Sequence, residues 1–320
     1  MSGVGWSPVG RSPVGGDRYR PSVVEIPGAF VEATVRREGE AGRRWLESLP
    51  SLVDALLERW RCRVDGPARH GEVALVVPVT CPSSQAVLKV SFPHPGNQSE
   101  PGALRQFAGR GTVRLLEADE NVFALLLERA GDRTLAAEPS AEQAIEIAGA
   151  LARRLAVPAA PGTFSLADTT TGWAEQLEQQ LAASDDPPPA RAVDRARETI
   201  AALGGDRTTT LLHRDLHDGN VLAADREPWL AIDPKGWRGT AAYDAFTVIA
   251  GRAGQLHPTD DLDRQVRARI RRYSAAAGVD HDLAAACCQA RATSSLLYQQ
   301  AASRNWFEEE LLRRLVLAEL

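Results

Sequence analysis

The spacing of apolar residues changes character twice along this 320-residue chain, and that change limits the folds available to it. Between residues 38 and 60 apolar side chains recur at helical spacing, which predicts a helix. From Val73 to Glu128 they cluster in short β-rich runs, and beyond Gly131 helical spacing dominates again. We therefore expect an α+β protein with two lobes, a small β-rich N-lobe and a larger, mostly helical C-lobe.

Each region of this pattern predicts a set of elements. Short apolar runs bounded by turn residues predict strands, and stripes at every third or fourth position predict helices. In chain order we expect helix 38–60, strands 73–79 and 86–92 joined as a hairpin, helix 100–108, strands 113–118 and 122–128, helices 140–155, 173–183 and 190–203, a compact β segment over 211–232, and further helices to the C-terminus.

The chain is expected to divide into three regions. Residues 1–21 contain a duplicated Ser-Pro-Val-Gly string in a stretch rich in Gly, Pro and Ser, which predicts a disordered tail. Residues 22–130 are expected to form the N-lobe and residues 131–320 the C-lobe. A hinge is expected over residues 128–132.

Composition argues against several classes of protein. The longest apolar runs are about six residues, whereas a membrane-spanning helix needs about 20. The net charge of −5 argues against nucleic-acid binding. The four cysteines include no CxxC pair, which predicts reduced thiols rather than disulfides. With no secretory-signal pattern at the start, we expect a cytoplasmic monomer without membrane or nucleic-acid partners.

Only two of the 37 basic residues are lysines, Lys89 and Lys235. Such a bias toward arginine leaves lysine where a compact ammonium group cannot be exchanged for a planar guanidinium. Both lysines are therefore candidates for a chemical role. Lys235 lies two residues after Asp233. Its side chain could contact a phosphate or cap the loop, and the sequence does not favour either role.

The stretch 211–222 contains most of the polar side chains that could act as proton acceptors or metal ligands. Asp215 is expected in a loop, where its carboxylate can accept the proton of an incoming hydroxyl. Asn220, five residues later, can offer a neutral amide oxygen to Mg²⁺. Asp233 ends an apolar strand after a hairpin turn near residues 225–226, so we expect it to return to the same place as a second metal ligand.

These residues also resemble known kinases. His213-Arg214-Asp215-Leu216 followed by Asn220 fits the H-R-D-L-x-x-x-N loop of protein kinases. The fuller pattern is similar to the aminoglycoside phosphotransferase family, and most closely to its branch of streptomycin 6-phosphotransferases and hydroxyurea phosphotransferases. The resemblance extends over roughly residues 40–300 in element order. The segments that carry it are 213–220, 232–234, 227–235 and 111–116.

This resemblance implies a two-lobed protein-kinase-like fold with ATP and Mg²⁺ as cofactors. It implies a phosphotransferase acting on a hydroxyl of a small-molecule antibiotic or related natural product, with an aminoglycoside such as streptomycin favoured and resistance as the outcome. Lys89 would bind the phosphates with Glu100 as its partner. Glu128 and Ala130 would offer backbone groups to adenine.

The resemblance also implies roles for the residues around the loop. His213 would hold the loop backbone and His217 would pack or hydrogen-bond. Tyr243-Asp244 would brace the loop, although an ordinary acid at a helix N-terminus explains Asp244 equally well. No G-x-G-x-x-G motif is present, so the backbone N–H groups of residues 71–76 and of the Ser83-Ser84 turn are expected to cover the phosphates.

Two segments bear on the type of acceptor. Residues 238–243 differ from the Gly-Asp-Pro that the family more usually has there, which leaves the subfamily open. No activation segment of the protein-kinase type follows Asp233, which argues against a protein substrate.

Three alternatives remain open. The acceptor could be a nucleoside or peptide antibiotic rather than an aminoglycoside. The chain could be a nucleotide-binding module that no longer transfers phosphate. His213, Asp215, His217 and Asp218 could instead form the metal cluster of a hydrolase. A cationic acceptor should meet acidic side chains in the C-lobe, and the candidates are Glu175, Glu178, Asp185, Asp186 and residues 308–310.

Overall fold

A computed structural model of the chain describes residues 24–252, 255, 261–302 and 309–317, so the predicted tail over residues 1–21 lies outside the described residues. The α-helices are α1 (Gly28–Arg59), α2 (Glu100–Phe107), α3 (Ala141–Leu155), α4 (Thr170–Ala182), α5 (Ala190–Gly204), α6 (Ala245–Ala250), α7 (Leu262–Ala277), α8 (His281–Ala302) and α9 (Glu309–Leu317). The strands are β1 (Arg63–Val64), β2 (Arg69–His70), β3 (Ala74–Cys81), β4 (Ser84–Ser91), β5 (Leu115–Asp119), β6 (Ala124–Glu128), β7 (Leu211–Leu212), β8 (Val221–Ala223), β9 (Trp229–Ala231) and β10 (Trp237–Arg238).

The N-terminal part is built on an antiparallel sheet with strand order β1-β3-β4-β6-β5, in which β2 also pairs with β3. Strands β3 and β4 form the predicted hairpin, with Cys81 opposite Ser84 and Val76 opposite Lys89. Lys89 also lies opposite Leu125 of β6. This register places the lysine in the interior of the sheet, between two neighbouring strands.

Helix α1 packs against this sheet and begins ten residues before the predicted start. Its buried face, which includes Leu49, Val53 and Leu57, lies in one apolar cluster with the sheet. The helix changes direction at Gly39, whose φ of +60° lies in the left-handed region that glycine tolerates best. The break interrupts the helical spacing, so the segment before Gly39, anchored by the fully buried Phe30, was missed.

The sheet also carries a disulfide, so the expectation of four reduced thiols is wrong. Cys62 precedes β1 and Cys81 ends β3, and their Cα atoms lie 4.2 Å apart across the two strands. Strand β1 has only two residues and was not predicted, so no local pattern pointed to the pairing of these cysteines. Cys287 and Cys288 of α8 are free and buried, as expected.

The C-terminal part is mostly helical, which confirms the predicted α+β class. Helix α3 begins as predicted, with Ser140 Oγ accepting a hydrogen bond from the Gln143 N–H at 3.2 Å. The main core includes Phe246 of α6 and Tyr273 of α7, both fully buried. Of the helices that the structure describes, none combines the length and apolarity needed to cross a membrane.

Two small hairpin-like sheets lie within this helical part. Strand β7 pairs with β10, and β8 pairs with β9 around the turn predicted near residues 225–226. An isolated bridge joins Thr112 to Ala231 of β9, connecting the segment after α2 to the second of these sheets. The 213–220 loop therefore begins after β7 and ends at β8, next to the sheet that this bridge connects to the N-terminal part.

Candidate active site

The 213–220 loop is organised around the buried side chain of His213. Its Nδ1 accepts a hydrogen bond from the Asp215 N–H at 3.3 Å, so the N–H at Nε2 donates to the Ile232 carbonyl at 2.9 Å. Burial lowers the pKa of His213 to about 4, which keeps the ring neutral. His213 thus ties the loop to the end of β9, the backbone-holding role expected for it.

The same hydrogen bonds argue against a hydrolase metal cluster. Both ring nitrogens of His213 are occupied by backbone groups, and His217 Nδ1 accepts from the Gly219 N–H at 3.1 Å. Over the described parts of the chain, no group of three or more His, Cys, Asp or Glu side chains is arranged to hold a metal ion. The hydrolase alternative therefore lacks the ligands that it requires.

Asp244, just before α6, braces the loop from the other side, in line with the expectation. Its Oδ2 accepts a hydrogen bond from the His213 N–H at 3.1 Å. Its Oδ1 is buried without a hydrogen-bond partner. Burial raises the pKa of Asp244 to about 7, and attraction to Arg291 only partly offsets this shift.

Asp215 and Asn220 lie at the two ends of one short turn. Asn220 Nδ2 donates to the Asp215 carbonyl at 3.0 Å, and the Asn220 carbonyl accepts from the Ile232 N–H at 2.9 Å. Because the amide nitrogen is committed to the backbone, the amide oxygen remains available as a ligand. The Asp215 side chain is partly exposed, so its carboxylate is accessible.

Asp233 lies two residues after the end of β9 and has a φ of +58°, in the left-handed region. The hydrogen bond between Ile232 and Asn220 aligns β9 beside β8, which brings Asp233 close to Asn220. Non-glycine residues in this backbone conformation are uncommon and concentrate at functional sites. This arrangement is consistent with the prediction that Asn220 and Asp233 lie close together as two oxygen ligands.

Lys89 connects the two parts of the molecule. Its Nζ donates to Glu100 Oε1 at 2.7 Å and to Oε2 at 2.8 Å, and it also contacts Asp233 Oδ1. The Lys89 side chain is 7% exposed and that of Glu100 3%, whereas that of Asp233 is 36% exposed. The structure therefore brings together the predicted lysine, its predicted carboxylate partner and one predicted metal ligand.

The charged groups of Lys89, Glu100 and Asp233 shift one another's pKa values. Burial opposes the charged form of Lys89, but the carboxylates of Asp233 and Glu100 outweigh it and raise its pKa. Desolvation raises the pKa of Glu100 despite the nearby ammonium group. For Asp233 the attraction to Lys89 outweighs desolvation and lowers the pKa, so this carboxylate stays ionised.

The predicted hinge is held by a residue that sequence reasoning missed. Arg226, in the β8–β9 turn, donates from Nε and Nη2 to the two carboxylate oxygens of Glu128 at 2.7 and 2.8 Å. The Glu128 N–H donates to the Arg114 carbonyl, and the Gly131 N–H donates to the Ala223 carbonyl at 2.7 Å. The side chain of Glu128 is thus committed to Arg226, so any contact with adenine at Glu128 and Ala130 would have to come from backbone groups, as predicted.

One of the two turns expected to cover the phosphates is in the wrong place. Ser84 is five residues from Lys89 along β4, about 17 Å at the rise of an antiparallel strand. The Ser83-Ser84 turn therefore lies too far from Lys89 to reach the phosphates. Residues 71–73 lie at the other end of β3, where Arg37 Nη1 donates to the Glu72 carbonyl at 2.8 Å.

Beside the loop, a cavity of about 730 Å³ lies between helices α4 and α8. Arg214 lines it next to Asp215, and its guanidinium carbon lies 3.6 Å from the centroid of the Trp237 ring. Arg214 has a φ of +73°, a second non-glycine residue of this site in the left-handed region. A cavity at this position can present a bound molecule to Asp215.

Comparison with known sequences places this site in context. The family described as aminoglycoside/hydroxyurea antibiotic resistance kinase matches residues 59–302. A streptomycin 6-kinase from Streptomyces glaucescens is 37% identical over 279 residues, which is 86% of this chain and 91% of that protein. A hydroxyurea phosphotransferase from Kitasatospora aureofaciens is 42% identical over 251 residues, which is 75% of this chain and 73% of that protein.

Solved structures show the same fold at lower identity. The aminoglycoside phosphotransferase APH(4)-Ia aligns with a TM-score of 0.57 and 18% identity, covering 84% of this chain and 99% of that one. A choline/ethanolamine kinase family protein from Mesorhizobium loti aligns with a TM-score of 0.55 and 15% identity, covering 83% of this chain and 92% of that one. These matches confirm the two-lobed, kinase-like fold.

Proposed function

Since the chain belongs to the family of aminoglycoside/hydroxyurea antibiotic resistance kinases, we propose that it uses ATP and Mg²⁺ to phosphorylate a hydroxyl group of a small-molecule antibiotic. The observation that carries the proposal is the contact of one buried ammonium group, that of Lys89, with both Glu100 and Asp233. A lysine held in this way beside a metal-binding carboxylate is the arrangement that phosphoryl transfer requires.

The side chains at the end of β9 and in the 213–220 loop fit a magnesium ion. Asn220 offers an amide oxygen and Asp233 an ionised carboxylate, both hard oxygen donors. Two protein ligands suit Mg²⁺, which retains water and takes its remaining oxygens from phosphates. When bound, the metal would neutralise charge on the transferring phosphoryl group.

Asp215 would orient the acceptor hydroxyl and receive its proton. The hydroxyl oxygen forms a bond to the γ-phosphorus of ATP while the bond from that phosphorus to the β-phosphate oxygen breaks, and ADP leaves. Lys89 would bind the phosphates electrostatically, with Glu100 holding its position. Backbone groups at Glu128 and Ala130 would bind adenine.

For the acceptor, an aminoglycoside is the first candidate, because two of the similar proteins are streptomycin 6-kinases, from Streptomyces glaucescens and Streptomyces griseus. The match to a hydroxyurea phosphotransferase keeps a non-aminoglycoside acceptor as the second candidate. Resistance to the antibiotic would follow from loss of the modified hydroxyl.

We further propose that the protein acts as a cytoplasmic monomer without nucleic-acid or membrane partners, and that its lobes divide at residues 130–131.

The test is transfer of the γ-phosphoryl group from ATP to a panel of hydroxyl-bearing antibiotics, streptomycin first, with products identified by mass spectrometry. We expect a mass increase of one phosphoryl group on at least one acceptor, and loss of that product when EDTA removes Mg²⁺. Binding of ATP with no transfer to any acceptor would favour a non-catalytic nucleotide-binding module. Failure to bind ATP would contradict the proposal.

A further inference from the structure

Asp218 lies inside the 213–220 loop, three residues after Asp215 and two before Asn220, yet the proposed transfer gives its carboxylate no task. Its side chain is 16% exposed, so most of it is turned into the protein. Moving a carboxylate out of water is costly unless a partner compensates for the lost hydration. The position of that partner shows what Asp218 is connected to.

The partner is Arg252, two residues after the end of α6. Its Nε lies 2.9 Å from Asp218 Oδ2, and its side chain is 4% exposed. The contact is an ion pair rather than a hydrogen bond, because the Nε–H forms no hydrogen bond. Attraction between opposite charges is stronger in a covered site than in water. Asp218 therefore pairs with a cation that solvent barely reaches.

Arg252 is itself held in place by other parts of the chain. Its Nη1 donates to the Glu138 carbonyl at 2.7 Å, and its Nη2 contacts the Leu135 carbonyl. From α7, Arg269 Nη1 donates to the Arg252 carbonyl at 2.6 Å. Contacts to several nitrogens of one rigid plane restrict the orientation of a guanidinium group. Arg252 is thus a fixed partner for Asp218, unlike a flexible surface arginine.

The carbonyls that hold Arg252 belong to the segment that follows the hinge. In the same segment the Arg133 carbonyl accepts a hydrogen bond from the Ala223 N–H at 2.8 Å. Ala223 ends β8, the strand that follows the 213–220 loop. The loop is therefore attached to this segment twice, through the backbone of β8 and through the ion pair of Asp218.

We propose that Asp218 and Arg252 are positioning residues for phosphoryl transfer, and that their ion pair fixes the turn between Asp215 and Asn220. The inference rests on the proposed kinase function. Asn220 Nδ2 donates to the Asp215 carbonyl at 3.0 Å, so a displaced turn moves both residues. A displacement of about 1 Å can cost roughly 100-fold in rate where a reacting group must be aligned. Asp218 thus acts through its neighbours, without touching the nucleotide or the acceptor.

The first test removes the charge of Asp218 and keeps its size. The control is Asp206→Asn, the same change at a partly buried aspartate outside the loop that accepts hydrogen bonds from the N–H groups of Thr208 and Thr240. With ATP, Mg²⁺ and an accepted antibiotic, we expect kcat of Asp218→Asn to fall about tenfold and both KM values to stay within about twofold, because the binding contacts remain. We expect wild-type kcat for Asp206→Asn. A wild-type kcat for Asp218→Asn, or an equal loss in the control, would overturn the proposal.

The second test asks whether the two residues act as a pair. Arg252→Gln removes the other charge, and the double variant removes both. Since either single change breaks the same ion pair, we expect kcat of the double variant to equal that of Arg252→Gln alone. A double variant whose loss is the product of the two single losses would overturn the proposal.

The third test needs no acceptor. Amide hydrogen exchange, followed on peptides by mass spectrometry, reports on the backbone hydrogen bonds of the loop, such as that from the Asn220 N–H to the His217 carbonyl at 2.9 Å. We expect Asp218→Asn to accelerate exchange over residues 217–222 and to leave β3 and β4 unchanged. We expect Asp206→Asn to leave the loop at its wild-type rate. Unchanged exchange in the loop of Asp218→Asn, or acceleration over the whole chain, would overturn the proposal.

These measurements separate the positioning role from the activity itself. If the wild type transfers phosphate to no member of the antibiotic panel, the proposed function fails, and the exchange rates alone decide whether the ion pair fixes the loop. If transfer occurs, but Asp218→Asn has the kcat of the wild type, the kinase function stands and the positioning role fails.

Discussion

The ammonium group of Lys89 lies within hydrogen-bond distance of both carboxylate oxygens of Glu100 and also contacts Asp233, 144 residues further along the chain. Glu100 opens the helix that follows β4, and Asp233 follows β9. One side chain thus connects the sheet to the loop beyond β9. Because Glu100 is buried and Lys89 is its cationic partner, loss of Lys89 would leave an unpaired carboxylate in the interior.

This contact predicts that the two lysines of the chain respond differently to the same substitution. Lys89→Arg places a larger, planar group in a buried position, so we expect kcat/KM for ATP to fall about 10- to 100-fold. Lys235→Arg, at the partly exposed second lysine, is the comparison, and we expect a change below about threefold, which would favour loop capping over a phosphate contact for Lys235. Steady-state kinetics with varied ATP measures both, and a larger loss for Lys235→Arg would contradict the assignment.

The hinge contact predicts an effect on nucleotide binding. Arg226→Ala removes both hydrogen bonds to the Glu128 carboxylate, so we expect KM for ATP to rise about fivefold with little change in kcat, which corresponds to about 1 kcal/mol, the net contribution of one ordinary hydrogen bond. The control is Arg154→Ala, which removes an arginine that pairs at 2.9 Å with Glu227, the residue after Arg226. Equal effects of the two variants would show that Arg226 has no special role at the hinge.

Asp244 predicts a specific pH dependence of stability. Its pKa is about 7 in the folded chain and 3.8 in the reference state, so the folded form binds the extra proton, and stability is lost as pH rises through that range. Asn at this position cannot ionise. We therefore expect the free energy of unfolding of Asp244→Asn, relative to the wild type, to increase by up to about 1.4 kcal/mol per unit between pH 5 and 7.

Denaturant unfolding at pH 5, 6 and 7 measures this difference. His213 has the opposite dependence, because its lowered pKa of about 4 costs stability as pH falls below 6.5, but it is present in both proteins and cancels in the comparison. A difference that is constant with pH would show that Asp244 is ionised in the folded chain throughout this range.

The disulfide predicts a redox-dependent stability. Cys62 and Cys81 are separated by 19 residues, and closing a loop of this size stabilises a fold by about 3 kcal/mol in the chain-entropy description. We expect a reducing agent to lower the free energy of unfolding of the wild type by about that amount, and to leave the Cys62→Ser/Cys81→Ser variant unaffected. Equal sensitivity of the two proteins to reductant would contradict the bond.

Local signals predicted much of the site. Asp215, Asn220 and Asp233 are close in sequence and joined by a single hairpin, so their spacing alone suggested that they meet. Lys89 was found because lysine is rare in this chain, and Glu100 because it opens the next helix. Each of these predictions needed only one element and its immediate neighbour.

The features that were missed depend on long-range pairing. The disulfide requires the register of β1 against β3, and β1 is too short to give a periodic signal. Arg226 looked like an ordinary turn residue, because its partner Glu128 lies 98 positions earlier in the chain. The position of the Ser83-Ser84 turn relative to Lys89 follows from the length of the two strands, each of which was predicted two residues too short at that end.

The most direct test of the account is the kcat of Asp215→Asn with ATP and an accepted antibiotic at saturating concentrations. Asp225→Asn, an exposed carboxylate in the β8–β9 turn, is the control for the same chemical change. We predict that Asp215→Asn loses at least about 100-fold in kcat while still binding ATP, because the hydroxyl has lost its proton acceptor. We predict wild-type kcat for Asp225→Asn. A kcat within a few-fold of the wild type for Asp215→Asn would contradict its assignment and the mechanism built on it.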